Sequence, residues 1–238
     1  RYLVFLIRAF SNSSKVTALS DGHKEVELSE FDIMLHLIHQ RLPDAFVHRE
    51  SAIAAVILPE SSATKPAFSQ GETPRIFFEK LLADLSERVR QLNLHIAIGG
   101  PVEDIHHLSQ SYDQAAIALK IGQTVHHSNI SFYSSVQIYD IFAKHPDPEE
   151  LKSFCRSMLS PLIDNPHIRF DAITTLETYL GVNGSLERSA STLYMHVSTV
   201  KYRINRIKET LGLDLEDAEY RLRLNIALMI YRLLLHDI

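Results

Sequence analysis

Lys201, Tyr202, Arg203, Asn205, Arg206 and Lys208 crowd into eight residues of the chain. Cations, an amide and a phenol at this density suit the phosphates and base edges of nucleic acid. At about 100° per residue, Val200, Ile204, Ile207 and Leu211 fall on one narrow stripe, the face a helix buries. Ser198, Tyr202, Asn205 and Arg206 fall on the opposite face, with Lys201 and Lys208 on its flank. Ser198 is placed to cap this helix, because its hydroxyl can accept from the free amides of the first turn. Those amides and the helix dipole also favour an anion, so a phosphate can dock there. Over 185–211 five basic residues (Arg188, Lys201, Arg203, Arg206, Lys208) face two acidic ones, Glu187 and Glu209, within a chain of net charge −5. A nucleic-acid binder needs a basic patch rather than a basic whole. The same pattern also describes an amphipathic surface helix with a solvated basic face.

The residues expected to meet DNA are His196, Ser198, Thr199, Lys201, Tyr202, Arg203, Asn205 and Arg206. Lys201, Asn205 and Arg206 are the direct contacts in this reading, since an Asn can bridge adenine and an Arg guanine. Tyr202 either contacts phosphate or base, or packs its ring on the preceding helix. Arg203 flanks the buried stripe and can reach a phosphate or a carboxylate of its own domain. His196 either donates to a phosphate or locks the turn.

The elements that must position these residues are helical. A helix over Ser185 to Leu193 buries Leu186, Ala190 and Leu193, and Ala190 is small where a helix-turn-helix pair must cross closely. An earlier helix, about 171–180, stops at Gly181 as a C′ residue, and Asn183-Gly184 makes the turn. A long helix from Asp217 to Leu235 buries Leu222, Ile226, Ala227, Ile230, Tyr231 and Leu234. Its apolar face is broad, which suits either a dimer contact or a core wholly within the domain.

The N-terminal half alternates strands (2–9, 45–49, 52–58, 94–98) with helices (29–42, 74–92 and about 108–121). Phe31, Met34, Leu35, Ile38 and Leu42 share a face of the first helix, and Phe77, Leu81, Leu85, Val89 and Leu92 a face of the second. The third would bury Leu108, Tyr112, Ala115, Ala116 and Leu119. A hairpin around His48 to Ser51 joins the middle strands, and the polar segment Glu60 to Thr73 reads as a mobile loop. The order β-α-β-β-α-β-α predicts a ferredoxin-like sheet with helices on one face. Next comes a connector, about Val125 to Pro166. In it Asp147-Pro148-Glu149-Glu150 starts a helix burying Leu151, Phe154, Cys155, Met158 and Leu159 and ending near Pro161.

Thr175-Leu176-Glu177-Thr178-Tyr179-Leu180, then Asn183, Ala190, Leu193, His196, Thr199-Val200, Tyr202-Arg203, Ile207 and Gly212-Leu213 resemble the C-terminal domain of PucR/CdaR-type bacterial transcription regulators. The string H-x-x-T-V-x-Y-R sits at the turn and recognition helix. Between His196 and Thr199 the family usually has Arg or Pro then Asn, where this chain has Val197 and Ser198, so the identity of any base contact departs from the pattern. Leu94 to Gly99, followed by Leu108 and Tyr112 to Lys120, is similar to the last strand and helix of the GGDEF-like domain that precedes the DNA-binding domain in that family. A cyclase needs glycines and acids at the hairpin to approach nucleotide and hold Mg²⁺, and His48-Arg49-Glu50-Ser51-Ala52 supplies one Glu.

The resemblance implies an α+β chain: a catalytically silent ferredoxin-like (GGDEF-like) sheet domain over 1–124, a connector over 125–166, and an all-α helix-turn-helix domain over 167–238. It implies a homodimer on double-stranded DNA, without cofactor or enzyme activity, and a small-molecule effector bound outside this chain. At 238 residues and 45% hydrophobic content, two ordinary domains fit. No apolar run approaches the roughly 18 residues of a membrane span. The single Cys155 fits a reducing cytoplasm. The chain opens on a strand-like run without a Met or signal peptide, as expected of a piece of a longer cytoplasmic protein. His36 and His39 share a helix, and His106-His107 and His126-His127 are adjacent pairs. None has a third ligand at zinc spacing. No G-x-S-x-G, P-loop or G-x-G-x-x-G occurs. Two other readings stay open: a nucleotide cyclase or hydrolase, and a protein-interaction module whose C-terminal domain only dimerises.

Overall fold

Every side chain from Leu3 to Ile7 is buried, so the strand that carries them must be covered on both faces. That strand, β1 (Tyr2–Ser11), is central in a five-stranded sheet with β2 (Phe46–Glu50), β3 (Ile53–Pro59), β4 (Leu92–Ile98) and β5 (Ile130–Phe132), in the order β2-β3-β1-β4-β5. It pairs antiparallel with β3, Tyr2 opposite Pro59 through Arg8 opposite Ile53, and with β4, Phe5 opposite Ile98 through Ser11 opposite Leu92. The computed structural model describes residues 1–11, 28–126, 128–212 and 214–234. His127, Leu213 and Leu235, used in the sequence reading, lie outside these.

The two pleats of β1 meet different helices. Leu3, Phe5, Ile7 and Ala9 share a core with Phe31, Met34 and Ile38 of α1 (Leu28–Arg41) and Phe78, Leu81 and Leu85 of α2 (Thr73–Arg88). Val4 and Leu6 point the other way and are still buried. They lie on the side where α3 (Leu108–His126) packs on β1, β4 and β5. The expectation of helices on one face is therefore corrected: a strand apolar at successive positions needs cover on both sides.

Three local expectations shift. The helix expected over 74–92 ends at Arg88, because Val89 leaves helical backbone and Leu92 begins β4. Its fully buried aromatic is Phe78, with Phe77 half-buried beside it in edge-to-face contact. Tyr112, expected in the core, is exposed and donates its hydroxyl to Glu50 at 3.2 Å; Ser111, Ala115 and Ala118 take the inner face of α3 instead. The segment Glu60 to Thr73 is more than a polar loop. Thr64 is buried and donates to the Pro59 carbonyl at 2.7 Å, and a short 3-10 turn over Lys65–Phe68 sets Ala67 and Phe68 into the core.

The contacts divide the chain into two units, Arg1–Asp140 and Ile141–Ile238, with the boundary inside α4 (Tyr133–Ala143). The stretch expected as a connector thus gives its first part to the sheet as β5, parallel to β4 with Ile96 opposite Ile130. Its second part is α5 (Pro148–Ile163), capped by Asp147, whose carboxylate accepts from Glu149 N–H and Glu150 N–H. This helix runs on past Pro161 to bury Leu162, so the proline sits in its last turn. Cys155 is buried on its inner face, where burial raises the thiol pKa.

Two glycines show how closely α3 lies on the sheet. A methyl at Gly99 would overlap the Ser111 carbonyl, and one at Gly122 would overlap the Ser131 side chain. The Ser111 carbonyl is backbone and cannot swing aside, so Gly99→Ala is expected to destabilise the first unit by about 1–3 kcal/mol. Gly181, with nothing within 4 Å of an added Cβ, is the control: Gly181→Ala is expected to be neutral or mildly stabilising. Scanning calorimetry of the two variants checks this; equal melting would contradict the close approach.

Candidate nucleic-acid interface

The second unit is built by helix ends as much as by its core. Helix α6 (Ala172–Gly181) starts on Asp171, which accepts from Thr174 N–H at 2.9 Å. It does not stop at Gly181 in a left-handed turn, as expected. The left-handed residues are Asn183 (φ 57°) and Gly184 (φ 79°). Asn183 N–H donates to the Leu180 carbonyl at 3.0 Å and Gly184 N–H to the Tyr179 carbonyl at 2.8 Å, the paired bonds of a Schellman cap. Helix α7 (Leu186–Leu193) begins at once, with Ser185 Oγ accepting from Arg188 N–H at 3.2 Å.

A second Schellman cap ends α7. Met195 N–H donates to the Ala190 carbonyl at 2.9 Å and Tyr194 N–H to the Ser191 carbonyl at 3.3 Å, with Tyr194 itself left-handed at φ 53°. Two residues later α8 (Val197–Leu211) begins. Its cap is His196, not Ser198: imidazole Nδ1 accepts from Ser198 N–H at 3.3 Å and bonds the Ser198 hydroxyl at 2.7 Å. The helix begins earlier than a Ser198 cap would allow, because the ring satisfies the Ser198 amide and brings Ser198 itself into the first turn. With Nδ1 accepting, the neutral ring carries its proton on Nε2, a donor.

Burial fixes the rotation of α8. Val200, Ile204 and Ile207 are buried in a core with Leu176, Tyr179, Ala190, Leu215, Leu224, Ala227, Leu228 and Ile230, and Leu211 is half-buried against it. Ala190 is buried at the crossing, as its size predicts, and so is Ser189, whose hydroxyl is satisfied by the Ser185 carbonyl at 2.6 Å. The last helix, α9 (Ala218–Leu234), is rotated from expectation: Leu224 and Leu228 are buried while Leu222 is 60% exposed. The sequence stripe through Leu222 was one of several that so apolar a helix offers.

Opposite the buried stripe, Ser198, Lys201, Tyr202 and Asn205 stand exposed at i, i+3, i+4 and i+7, a single ridge. Tyr202 is 61% exposed, so its ring is presented rather than packed. Among the described residues, the side chains of Lys201, Tyr202 and Asn205 have no hydrogen-bond or ion-pair partner. His196 and Thr199 are also exposed, at the start of the helix.

The other cations of α8 are engaged. Arg206 pairs with Glu209 at 2.8 Å on the helix surface, and Lys208 reaches Glu216 at 3.5 Å. Arg203 turns inward, donating to Thr175 Oγ1 at 3.4 Å with its guanidinium 4.9 Å from the Phe170 ring centre. Glu216 also accepts from the Tyr179 hydroxyl at 3.3 Å, and burial together with that carboxylate raises the phenol pKa. Of the eight residues expected at DNA, seven lie at or beside the exposed ridge, and Arg203 faces its own domain.

One residue escaped the sequence reading. Tyr194, in the turn, is 95% exposed. It had a signal: a cap after Leu193 needs a left-handed residue, and Tyr194-Met195 offers neither Gly nor Asn.

The hairpin of the first unit is tied up internally. Ser51 turns it at φ 54°; Arg49 bonds Asp32 at 3.0 Å and lies 4.5 Å over the Phe31 ring, while Glu50 accepts from Tyr112. Of the histidines considered as ligands, His36 meets Gln40, His39 meets the Leu35 carbonyl, and His107 meets Asp104. Hydrogen bonding from His106 N–H, first among its causes, lowers the Asp104 pKa. Among the described residues, no three His, Cys, Asp or Glu side chains stand close enough together to hold a metal ion, and no helix is long and apolar enough to cross a membrane.

Comparison with known proteins agrees with this division. Residues 1–121 match the model of the GGDEF-like domain, and residues 172–230 that of the PucR C-terminal helix-turn-helix domain. An uncharacterized protein in the pkwA 5′ region of Thermomonospora curvata is 39% identical over 90 residues, 35% of this chain and 50% of that protein. The purine catabolism regulatory protein of Bacillus subtilis (strain 168) is 26% identical over 66% of this chain and 30% of its own length. The carbohydrate diacid regulator of Escherichia coli (strain K12) is 26% identical over 80% and 51%. The chain spans about a third to a half of the length of these curated relatives.

The geometry separates Arg203 from Lys201 in a measurable way. Arg203→Ala removes a half-buried hydrogen bond and a cation–π contact and is expected to destabilise the second unit by about 1 kcal/mol. Lys201→Ala is expected to stay within about 0.5 kcal/mol of the parent. Urea unfolding followed by circular dichroism checks both, and equal stabilities would return Arg203 to the surface set.

Proposed function

Because the chain belongs to the PucR-type regulators, which join a GGDEF-like domain to a PucR C-terminal helix-turn-helix domain, we propose that it regulates transcription by sequence-specific binding to double-stranded DNA through α8. The observation that carries this reading is the ridge of Ser198, Lys201, Tyr202 and Asn205. It is exposed and polar, and among the described residues the side chains of Lys201, Tyr202 and Asn205 have no partner, on a helix whose opposite face is buried. An exposed polar ridge adds nothing to folding, and its groups are those that recognise base edges and phosphates.

In this mechanism α8 enters the major groove. His196 Nε2–H and the N-terminal end of α8 face a backbone phosphate, which the helix dipole favours. Lys201 neutralises a neighbouring phosphate. Asn205 and Arg206 address base edges, Arg206 exchanging its surface pair with Glu209 for DNA. Arg203 positions the helix through Phe170 and Thr175 rather than touching DNA. Two copies of the unit, as a homodimer, would meet half-sites about one helical turn apart.

The names of the relatives, a purine catabolism regulatory protein and a carbohydrate diacid regulator, support a regulatory role; in our reading that role is exercised in the cytoplasm under a small-molecule effector bound outside this chain. The hairpin of the first unit supports a scaffold rather than a cyclase, since Arg49 and Glu50 are committed to Asp32, Phe31 and Tyr112.

Fluorescence anisotropy with random and promoter duplexes across a salt series tests the reading. Affinity is expected to fall steeply with salt, the slope counting about 0.9 per neutralised phosphate. Lys201→Glu/Arg206→Glu is expected to reduce affinity at least about tenfold and the slope by roughly one, for the phosphate that Lys201 neutralises. Full affinity in that double variant would favour a protein-interaction module instead.

A further inference from the structure

We infer that Tyr194 is a DNA contact delivered by the turn between α7 and α8, its phenol donating to a backbone phosphate beside the groove that α8 enters. The inference rests on the DNA-binding reading above and adds a residue that the ridge of α8 does not contain.

The cap that ends α7 needs one residue in left-handed backbone, a conformation that strains any side chain with a Cβ. The chain fills the equivalent places with tolerant residues elsewhere in the same unit: Asn183 after α6 and Gly212 after α8. At the turn it uses a tyrosine. That choice gives no visible return in folding. The ring is 95% exposed, and among the described residues its hydroxyl has no hydrogen-bond partner. The apolar contact that accompanies such a cap falls to the next residue, Met195, half-buried against the helical core. The tyrosine is thus strained, solvated and dispensable to the fold, which is the pattern of a residue kept for what it touches outside the molecule.

Its place identifies the target. Tyr194 stands two residues before His196, the residue that caps α8. The N-terminal end of a recognition helix faces the phosphates flanking the groove, and a phenol reaching from the turn meets the same backbone. A neutral O–H donor to phosphate adds affinity without displacing a counterion. The left-handed backbone fixes the direction in which the side chain leaves the turn.

The test uses Tyr194→Gly, Tyr194→Asn and Tyr194→Phe in the full chain, with duplex binding measured across salt beside Lys201→Glu/Arg206→Glu. Gly and Asn both tolerate the left-handed position, so these variants are expected to melt at or above the parent temperature. All three are expected to bind duplex about five- to tenfold more weakly, on every sequence alike and with the salt slope unchanged. The chain contains no Trp, so Tyr194→Trp gives a single indole at the turn, whose emission is expected to be quenched and shielded from iodide on duplex binding. Parental affinity in Tyr194→Gly, with binding lost in the double variant, would overturn the inference and leave the DNA reading standing. Failure of the parent chain to bind any duplex at low salt would overturn both.

Discussion

Val200, Ile204 and Ile207 are buried in the core of the second unit, and most of what the unit offers the outside depends on that burial. Each is worth about 1.5–3 kcal/mol relative to solvent exposure. Together they outweigh any single polar contact on the far side of α8, so the hydrophobic stripe sets the rotation of the helix. Once it is set, Ser198, Lys201, Tyr202 and Asn205 have no choice of face. Arg203, at the edge of the stripe, is drawn in to Phe170 and Thr175. The binding surface is the complement of the core.

The helix ends impose the second constraint. Between Leu176 on α6 and Val200 on α8 the chain reverses twice within a few residues. Each reversal is held by backbone hydrogen bonds to the carbonyls of the helix just completed, and each new helix opens on a side-chain cap, Ser185 then His196. With every terminus satisfied in this way, the crossing of α7 over α8 is held from both sides, at the buried Ala190 and at the turn. The first unit solves a different problem. Its central strand is apolar on both pleats, so α3 must lie against the sheet opposite α1 and α2, and glycines at 99 and 122 permit that approach.

What the sequence revealed, and what it hid, follows from the strength of each periodic signal. Helix α8 was legible because its apolar residues form one narrow stripe, and α7 because Ser185 and the spacing of Leu186, Ala190 and Leu193 agree. The rotation of helix α9 is not legible in the sequence, because the helix is apolar nearly all round and Leu222 and Leu224 serve equally well as inner residues. Strand β5 was invisible: Ile130 to Phe132 is three residues, too short to show any alternation, and it is a strand only because β4 lies beside it. The capping role of His196 was hidden because serine is the commoner cap and Ser198 stood nearby. Lys201 and Asn205 lie off the apolar stripe and are exposed. That Arg203 faces inward depended on Phe170, 33 positions away in sequence, and no local pattern carries that.

The turn at Asn183-Gly184 bears on how the protein ages. An asparagine followed by glycine is the pair most open to deamidation, because the unhindered glycine nitrogen can attack the side-chain amide and close a succinimide ring. Here that nitrogen is held by the Tyr179 carbonyl at 2.8 Å, and Asn183 is fixed in left-handed backbone. The reaction therefore waits on fraying of the end of α6. The cap that aims the helix pair also acts as its chemical guard, and a molecule that lingers unfolded loses that protection and acquires an extra backbone carbon where the turn can least accommodate it.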